Sequence, residues 1–317
     1  MKRCAYLGIV LAGLRLTAMV AQAQPTVSNP PAIKGLRLTN GVVSVLFTNG
    51  QLQSALTVAG PWTNYGITNG PYSEPVASGA ASKFYRVLGI GRQTAFEPTT
   101  GRRFILYVPT SYNPTNAYPL IVSSHGTSQN GDTEMDSTGP NNTYDRGGPT
   151  WPTLAETSHV IVACPDFTGA YGENGCAISS THANQLASDE PVVLGVITMM
   201  EKAYHINTSR ILMTGFSGGG NVTHYVWLRH PDLFIGNCAR HGNFNTSLVP
   251  SALSAGITNK PVYVFTGNND SVCGTSDAIT WYTAQGFAHL KTDIFTNTPD
   301  NLHTTDRQYA LSWLLSL

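Results

Sequence analysis

A single serine, Ser217, stands between glycines in Gly215-Phe216-Ser217-Gly218-Gly219, which fits the spacing G-x-S-x-G. An apolar run at 210–214 precedes this motif, and helix-compatible residues at 221–229 follow it. A sharp turn from strand to helix crowds its neighbours, so glycine is required where a Cβ would collide. Such a turn lifts the serine hydroxyl out at the carboxyl end of a sheet. The pattern predicts that Ser217 is a nucleophile, and a simple glycine-rich turn is the alternative.

A serine hydroxyl at neutral pH needs a base, and the base needs an acid that orients it. Asp270 follows the apolar run 262–265 within a short loop, and His303 stands just before the last predicted helix. We therefore expect Asp270 to be the acid and His303 the base. The other acid candidates are Asp232, Asp277 and Asp293, and His241 is the second candidate for the base.

A third requirement is a pair of amides that hold the oxyanion. The apolar run 120–124 ends in His125-Gly126, and Gly126 lets the backbone come close to the serine turn. We expect the Thr127 and Gly218 amides to form this pair. His125 itself is expected to be structural, with its side chain bonded to nearby backbone.

The elements around these residues alternate between strands and helices. Strands are predicted at 103–108, 119–124, 160–164, 210–214 and 262–265, and helices at 190–203, 221–229 and 309–315. This order predicts an α/β fold with a mostly parallel sheet and helices on both faces. Two segments rich in turn residues, 128–152 and 167–188, are expected to border the cleft.

The N-terminal part has a different pattern. Residues 27–90 form short β-type runs with Asn49-Gly50 as a hairpin signal and 83–87 as a closing strand. Because this segment has neither His nor Asp, it cannot supply a triad residue. We expect a small all-β accessory module there and a catalytic domain at 91–317. A spacer is the favoured interpretation of the module; if it binds polymer, exposed Trp62, Tyr65 and Tyr72 are the expected contacts.

The first 23 residues resemble a secretory signal peptide, with Lys2 and Arg3 before an apolar run and a small-x-small site ending at Ala23. Secreted or periplasmic location follows, with no membrane association after cleavage. Cleavage would remove Cys4 and leave an even set of cysteines. Adjacent parallel strands favour a Cys238–Cys273 disulfide, which leaves Cys164 and Cys176 as the second pair, although four cysteines allow three connectivities.

Composition argues against several classes of partner. Lys+Arg and Asp+Glu are balanced at 18 each, which argues against a polyanion such as nucleic acid. The sequence has no C-x-x-C, no H-E-x-x-H and no phosphate-binding loop, so neither a cofactor nor a metal is expected. A metal site built from Asp166, Glu173, Asp189 and histidines is the alternative.

The chain from 102 to 314 resembles the α/β-hydrolase superfamily, and more narrowly the secreted polyhydroxybutyrate depolymerases and the feruloyl and acetylxylan esterases. The resemblance is carried by FILYVPTSYNPTNAYPLIVSSHG, WPTLAETSHVIVACPDF, RILMTGFSGGG, RHPDLF, VYVFTGNNDSV and LHTTDRQYALSWL. It departs from these families at Gly-Asn-Asn-Asp, where asparagines replace a common His or Thr.

That resemblance implies hydrolysis of a carboxylic ester, with a soluble ester or an insoluble polymer as substrate. It identifies neither the acyl group nor the alcohol, and the oligomeric state is left open. Two alternatives remain: a serine peptidase on the same fold, and a catalytically silent secreted binding protein.

Overall fold

The computed structural model describes residues 7–10, 31–58, 61–67, 69–75, 82–139, 148–169, 178–269, 274–299 and 305–317, with only the backbone described at 7–10, 269 and 296–299. The chain divides into two compact units. The first comprises Met1–Gln93 together with Tyr112–Pro114, and the second comprises Thr94–Ser111 and Thr115–Leu317. The division falls within the strand Gly91–Phe96.

The first unit is built from β-strands in two sheets. Its strands are β1 (Leu7–Val10), β2 (Ala32–Thr39), β3 (Val42–Thr48), β4 (Gly50–Ala55), β5 (Thr63–Asn64), β6 (Gly70–Pro75) and β7 (Ser82–Gly89). One sheet has the order β1-β7-β4-β5 and the other β2-β3-β6. The inward residues Val43, Val45 and Phe47 alternate along β3 and pack with Leu52 and Tyr85, which gives the unit its own core. Strand β1 lies within the predicted signal peptide, whose cleavage stays a prediction.

The expected hairpin at Asn49-Gly50 is wrong. Strands β3 and β4 meet there but belong to different sheets, and the true hairpin turn is Asn40-Gly41, where both residues have positive φ and Thr39 pairs with Val42. Gly50 serves close packing instead, because a Cβ there would lie 2.3 Å from the Leu88 carbonyl oxygen. An Asn-Gly dipeptide thus forms a hairpin turn at one position and allows close packing at the other, and sequence alone does not distinguish the two roles.

The second unit alternates strands and helices. Its strands are β8 (Gly91–Phe96), β9 (Arg103–Val108), β10 (Tyr118–Ser124), β11 (Ile161–Pro165), β12 (Ile206–Phe216), β13 (Gly236–Arg240), β14 (Val262–Asn269) and β15 (Leu290–Pro299). Its helices are α1 (Gly131–Asp136), α2 (Trp151–Ser158), α3 (Ser180–Ala203), α4 (Gly219–Arg229), α5 (Thr275–Ala284) and α6 (Asp306–Ser316), and short 3-10 helices cover Pro231–Leu233, Thr246–Leu248 and Ile257–Asn259.

The strands form one sheet with the order β15-β14-β13-β12-β10-β11-β9-β8 in the described chain. The six neighbouring strands β11, β10, β12, β13, β14 and β15 pair in parallel, and β9 pairs antiparallel with β11. Helices α1, α2 and α6 pack on one face, and α3, α4 and α5 pack on the other. Strands β11 and β13 are buried along their whole length, as expected for central strands covered on both faces.

The two turn-rich segments that were expected to border the cleft, 128–152 and 167–188, both contain helix. Helix α3 begins at Ser180, ten residues before its predicted start at Glu190, and α1 lies within 128–152. The Ser179 hydroxyl caps α3 by accepting from the His182 amide. The first half of α3 is rich in Ser, Thr, Ala and Asn, so it lacks the apolar period on which the prediction relied.

Cys164 and Cys238 are free, buried thiols in the core of the second unit. Their predicted partners Cys176 and Cys273 lie outside the described residues, so the two pairings stay predictions that the described thiols do not support. Burial raises the pKa of Cys238 to about 12 and that of Cys164 well above its usual value, as for small apolar core residues. Among the described helices, none is both long and apolar enough to span a membrane.

Candidate active site

Ser217 occupies the turn between β12 and α4 in the left-handed region, with φ of 51°. Its amide donates to the Arg240 carbonyl at 3.1 Å, and its own carbonyl accepts from the Gly220 and Asn243 amides at 2.8 and 2.9 Å. A serine in this conformation costs about 1–3 kcal/mol, and such residues concentrate at functional sites. The turn is thus held in a costly conformation by three backbone hydrogen bonds.

Close packing explains two glycines of the motif. A Cβ on Gly215 would lie 2.3 Å from the Gly219 carbonyl oxygen, and one on Gly219 would lie 2.5 Å from the His125 carbonyl oxygen. Since real Cβ atoms do not approach so closely, both positions require glycine. The second contact also shows that the loop after β10 lies directly against the serine turn.

The loop after β10 is fixed by a buried histidine. The Phe167 amide donates to His125 Nε2 at 3.0 Å, so Nδ1 carries the proton and donates to the Gly126 carbonyl at 2.9 Å. Burial lowers the pKa of His125, which keeps the ring neutral. This confirms the expectation that His125 is structural. Gln129 completes the turn by accepting from the Gly126 amide at 3.0 Å.

The two predicted oxyanion donors differ in their surroundings. Gly218 is buried at the N-terminus of α4, and its amide donates no hydrogen bond within the described residues. Thr127 is exposed on the neighbouring loop. Helix N-termini favour negative charge, which suits an oxyanion beside Gly218. The pairing of the two amides stays a prediction.

Asp270 and His303 lie outside the described residues, but the strands that lead to them are described. Asp270 directly follows β14, and His303 follows β15 by four residues. These strands are parallel, and their last residues pair as Asn269 with Pro299. Both predicted residues thus come after parallel strands that end at the same edge of the sheet as β12, whose last residue Phe216 precedes Ser217.

The described chain that resumes after Asp270 also contacts the residues beside the serine turn. Helix α5 begins at Thr275, whose hydroxyl donates to the Gly242 carbonyl at 3.0 Å. Gly242 neighbours Asn243, whose amide binds the Ser217 carbonyl. The described chain that resumes after Asp270 is therefore anchored near the serine through Thr275.

His241 follows β13 directly and is fully buried, with φ of 47°. Its Nε2 lies 3.5 Å from Asp306 Oδ1, and its ring packs edge-on against Phe216 and Phe265. Of the other acid candidates, Asp293 lies within β15 and accepts from the Tyr263 hydroxyl at 2.6 Å. Asp277 lies in the first turn of α5, as expected.

Sequence reasoning missed a buried ionic cluster beneath the site. Glu134 accepts from Ser123 Oγ at 2.6 Å, Trp151 Nε1 at 2.9 Å and Arg240 Nη2 at 2.5 Å. The Arg240 guanidinium also lies 6.0 Å from the Phe216 ring centre. An arginine at the end of an apolar strand is an available signal, whereas Glu134 stands in a polar segment that offers none.

The alternative metal site gains no support from its described members. Asp166 binds Arg103 and the Gly131 amide, and Asp189 binds the Thr168 and Gly169 amides. Glu173 lies outside the described residues. Within the residues that the structure describes, no group of three or more His, Cys, Asp and Glu is arranged to hold a metal.

The aromatic residues predicted to contact polymer are half-buried rather than exposed. Tyr65 and Tyr72 pack together, with ring centres 4.4 Å apart, and both hydroxyls donate to Glu74. Trp62 stacks under the Arg86 guanidinium at 4.3 Å. Because the tyrosines help to form the core of the first unit, the prediction that they are exposed is wrong.

Comparison with known proteins gives sequence relatives and a shared fold. The fungal bifunctional acetylxylan esterase/xylanase XynS20E of Neocallimastix patriciarum is 29% identical over 178 residues, which cover 56% of this chain and 22% of that protein. The probable acetylxylan esterase A of Aspergillus flavus is 28% identical over 142 residues, covering 44% of this chain and 41% of that protein. The chain thus spans less than half the length of either relative. No protein-family model matches the chain.

A solved structure settles the fold. The ferulic acid esterase AmCE1/Fae1A of Anaeromyces mucronatus, a CE1 esterase, superimposes with a TM-score of 0.53 at 16% identity, covering 69% of this chain and 88% of that one. The chain has the α/β-hydrolase fold. Both parts of the fold prediction are confirmed, since a small antiparallel β region precedes this α/β-hydrolase sheet.

Proposed function

We propose that this α/β-hydrolase is a secreted serine esterase that cleaves carboxylic esters through an acyl-enzyme. The observation that carries the proposal is the geometry of Ser217. It is a left-handed serine on the turn between the strand and helix of an α/β-hydrolase sheet, beside a helix N-terminal amide that donates no hydrogen bond among the described residues. Sequence similarity to acetylxylan esterases supports an ester as substrate.

In this proposal Ser217 Oγ attacks the ester carbonyl carbon while His303 takes the hydroxyl proton. Asp270 orients the imidazole and stabilises its charged form, and the Thr127 and Gly218 amides hold the oxyanion. The C–O bond to the alcohol then breaks, and His303 returns the proton to the leaving oxygen. Water hydrolyses the acyl-enzyme by the same steps in reverse, so neither a cofactor nor a metal takes part.

The substrate class is inferred from the named relatives, which are acetylxylan and ferulic acid esterases. We therefore place acetyl or feruloyl groups on plant polysaccharide first, and a polyester such as poly(3-hydroxybutyrate) second. The signal-like N-terminus supports secretion, and domain boundaries near residues 23 and 90 form part of the same proposal.

A panel of soluble substrates tests this function. Acetyl, feruloyl and 3-hydroxybutyryl esters are compared with peptide anilides, using Ser217→Ala as the matched control. We expect ester hydrolysis that falls by roughly 10⁴-fold in a folded Ser217→Ala protein. Faster cleavage of anilides would indicate a peptidase, and no turnover of any substrate would indicate a binding protein.

A further inference from the structure

The first turn of α6 carries two buried charged residues that the proposed chemistry does not use. Asp306 and Arg307 are each 8% exposed. Charged side chains are rarely buried unless they are paired, because removing them from water is costly. Their partners therefore indicate what this turn is held against.

Arg307 binds the end of helix α1. Its Nε donates to the Glu134 carbonyl at 3.0 Å, and its Nη2 donates to the Thr133 carbonyl at 3.2 Å. Its Nε also lies 4.0 Å from the Glu134 carboxylate. A planar guanidinium that reaches two carbonyls at once fixes orientation as well as distance.

Glu134 carries this connection on to the serine turn. Its carboxylate pairs with Arg240 at 2.5 Å, and the Arg240 carbonyl accepts from the Ser217 amide at 3.1 Å. The Arg240 side chain is held further by Thr214 and Ser123 hydroxyls at 3.1 and 3.2 Å. A continuous set of contacts thus joins the start of α6 to the backbone of Ser217.

A second connection runs in parallel through Asp306. Asp306 Oδ1 lies 3.5 Å from His241 Nε2, and His241 follows Arg240 directly in the chain. Asp306 thus lies close to His241 directly, whereas Arg307 is connected to Arg240 through Glu134. We call this set, Glu134, Arg240, His241, Asp306 and Arg307, the α6 clamp.

We infer that Arg307 and Asp306 are positioning residues that fix the start of α6 relative to the Ser217 turn and so place the base His303. This inference rests on the proposed function. His303 stands three residues before Asp306, and three residues span at most about 11 Å. Anchoring Asp306 therefore restricts the region from which His303 can serve the serine.

The experiment removes the Arg307 contacts at the N-terminal end of α6 and, in a separate variant, a comparable contact at its C-terminal end. Arg307→Met removes both carbonyl contacts, whereas Arg307→Lys keeps the charge and one donor. Arg210→Met is the matched control, because Arg210 Nη2 donates to the Leu314 carbonyl at 2.7 Å near the C-terminal end of the same helix. For each protein, kcat and KM for 4-nitrophenyl acetate are measured beside thermal stability.

Misplacement of a catalytic group by about 1 Å can cost about 100-fold in rate, so we expect Arg307→Met to lower kcat by about 10- to 100-fold with KM within about twofold. Arg307→Lys should recover part of that loss, and Arg210→Met should keep wild-type kcat even where it lowers stability. Equal kcat in folded Arg307→Met and wild type would overturn the inference, as would equal losses at the two ends. If Arg307→Met does not fold, Arg307→Lys decides the inference. Wild-type kcat in Arg307→Lys would overturn it, and a several-fold loss of kcat with unchanged KM would support it. An inactive wild-type protein would overturn the proposed function itself, and the clamp with it.

Discussion

Glu74 in the first unit and Glu134 in the second are both glutamates on which several donors converge, and the two clusters differ in the backbone to which they are connected. Glu74 accepts from the hydroxyls of Tyr65, Tyr72 and Tyr85 and pairs with Lys83 at 2.6 Å. Burial by itself would raise the pKa of Glu74, but the hydrogen bonds from Lys83 and Tyr85 outweigh it and lower the pKa. Its side chain is 16% exposed.

Glu134 is more deeply buried, at 3% side-chain exposure, and its charged partner is an arginine. The Glu74 donors lie on or near extended strands, whereas the Arg240 carbonyl holds a left-handed serine, and His241 beside it is left-handed as well. A convergent polar cluster alone thus does not indicate a site. Its connection to backbone in a costly conformation does.

Matched substitutions of these two glutamates sharpen the contrast. Glu134→Gln leaves Arg240 buried beside a neutral partner, and breaking a buried pair typically costs about 3–5 kcal/mol of unfolding free energy. We expect a loss of that order, measured by urea denaturation. Hydrogen exchange should locate it to peptides covering α1 and α6. Unchanged protection in those peptides would show that Glu134 does not hold the two helices together.

Helix α4 begins at the serine turn and carries a buried histidine, His224, two turns further on. Burial lowers the pKa of His224 to about 3, and its Nδ1 is hydrogen-bonded to the Tyr282 hydroxyl at 2.7 Å. An unfolded histidine titrates near 6.5. Because only the unfolded chain takes up the proton between pH 6.5 and 3, stability falls as pH falls through that window.

The expected loss of unfolding free energy follows from the pKa of histidine in the unfolded chain. Between pH 7 and 5 this one group should cost about 2 kcal/mol of unfolding free energy. Wild type and His224→Gln are compared by urea unfolding at both values, so that other titrating groups cancel in the difference. The same pH dependence in both proteins would contradict a neutral His224.

The smallest effect is expected at Glu74. Glu74→Gln keeps acceptor oxygen for the tyrosines and loses the charge opposite a half-exposed Lys83, so we expect a loss of about 1 kcal/mol. Hydrogen exchange should show it in β6 and β7, with kcat on soluble esters unchanged. A loss of unfolding free energy as large as that of Glu134→Gln, or a drop in kcat, would remove the distinction between the two clusters.

The sequence was informative where local chemistry decides the structure. The apolar strands 103–108 and 210–214 and the glycines around Ser217 predicted the sheet and the turn, because close packing at Gly215 and Gly219 leaves no other residue type possible. The polar half of α3 was missed, since a helix start set by the Ser179 cap has no apolar period.

Contacts between residues far apart in the sequence could not be predicted for a related reason. Glu134 and Arg307 are 173 positions apart, and neither has a local feature that marks it as buried. Cys164 and Cys238 pack as buried free thiols in the core, a role that an even number of cysteines does not predict. The asparagine and glycine at 49–50 failed as a hairpin because the two strands they join enter different sheets.

The most direct test of the account is to label the protein with a fluorophosphonate probe and locate the adduct by peptide mass spectrometry. The account predicts one adduct, on Ser217, formed by the wild-type protein and abolished in a folded Ser217→Ala variant. An adduct on another residue, or full labelling that persists in Ser217→Ala, would contradict the assignment of Ser217 as the nucleophile.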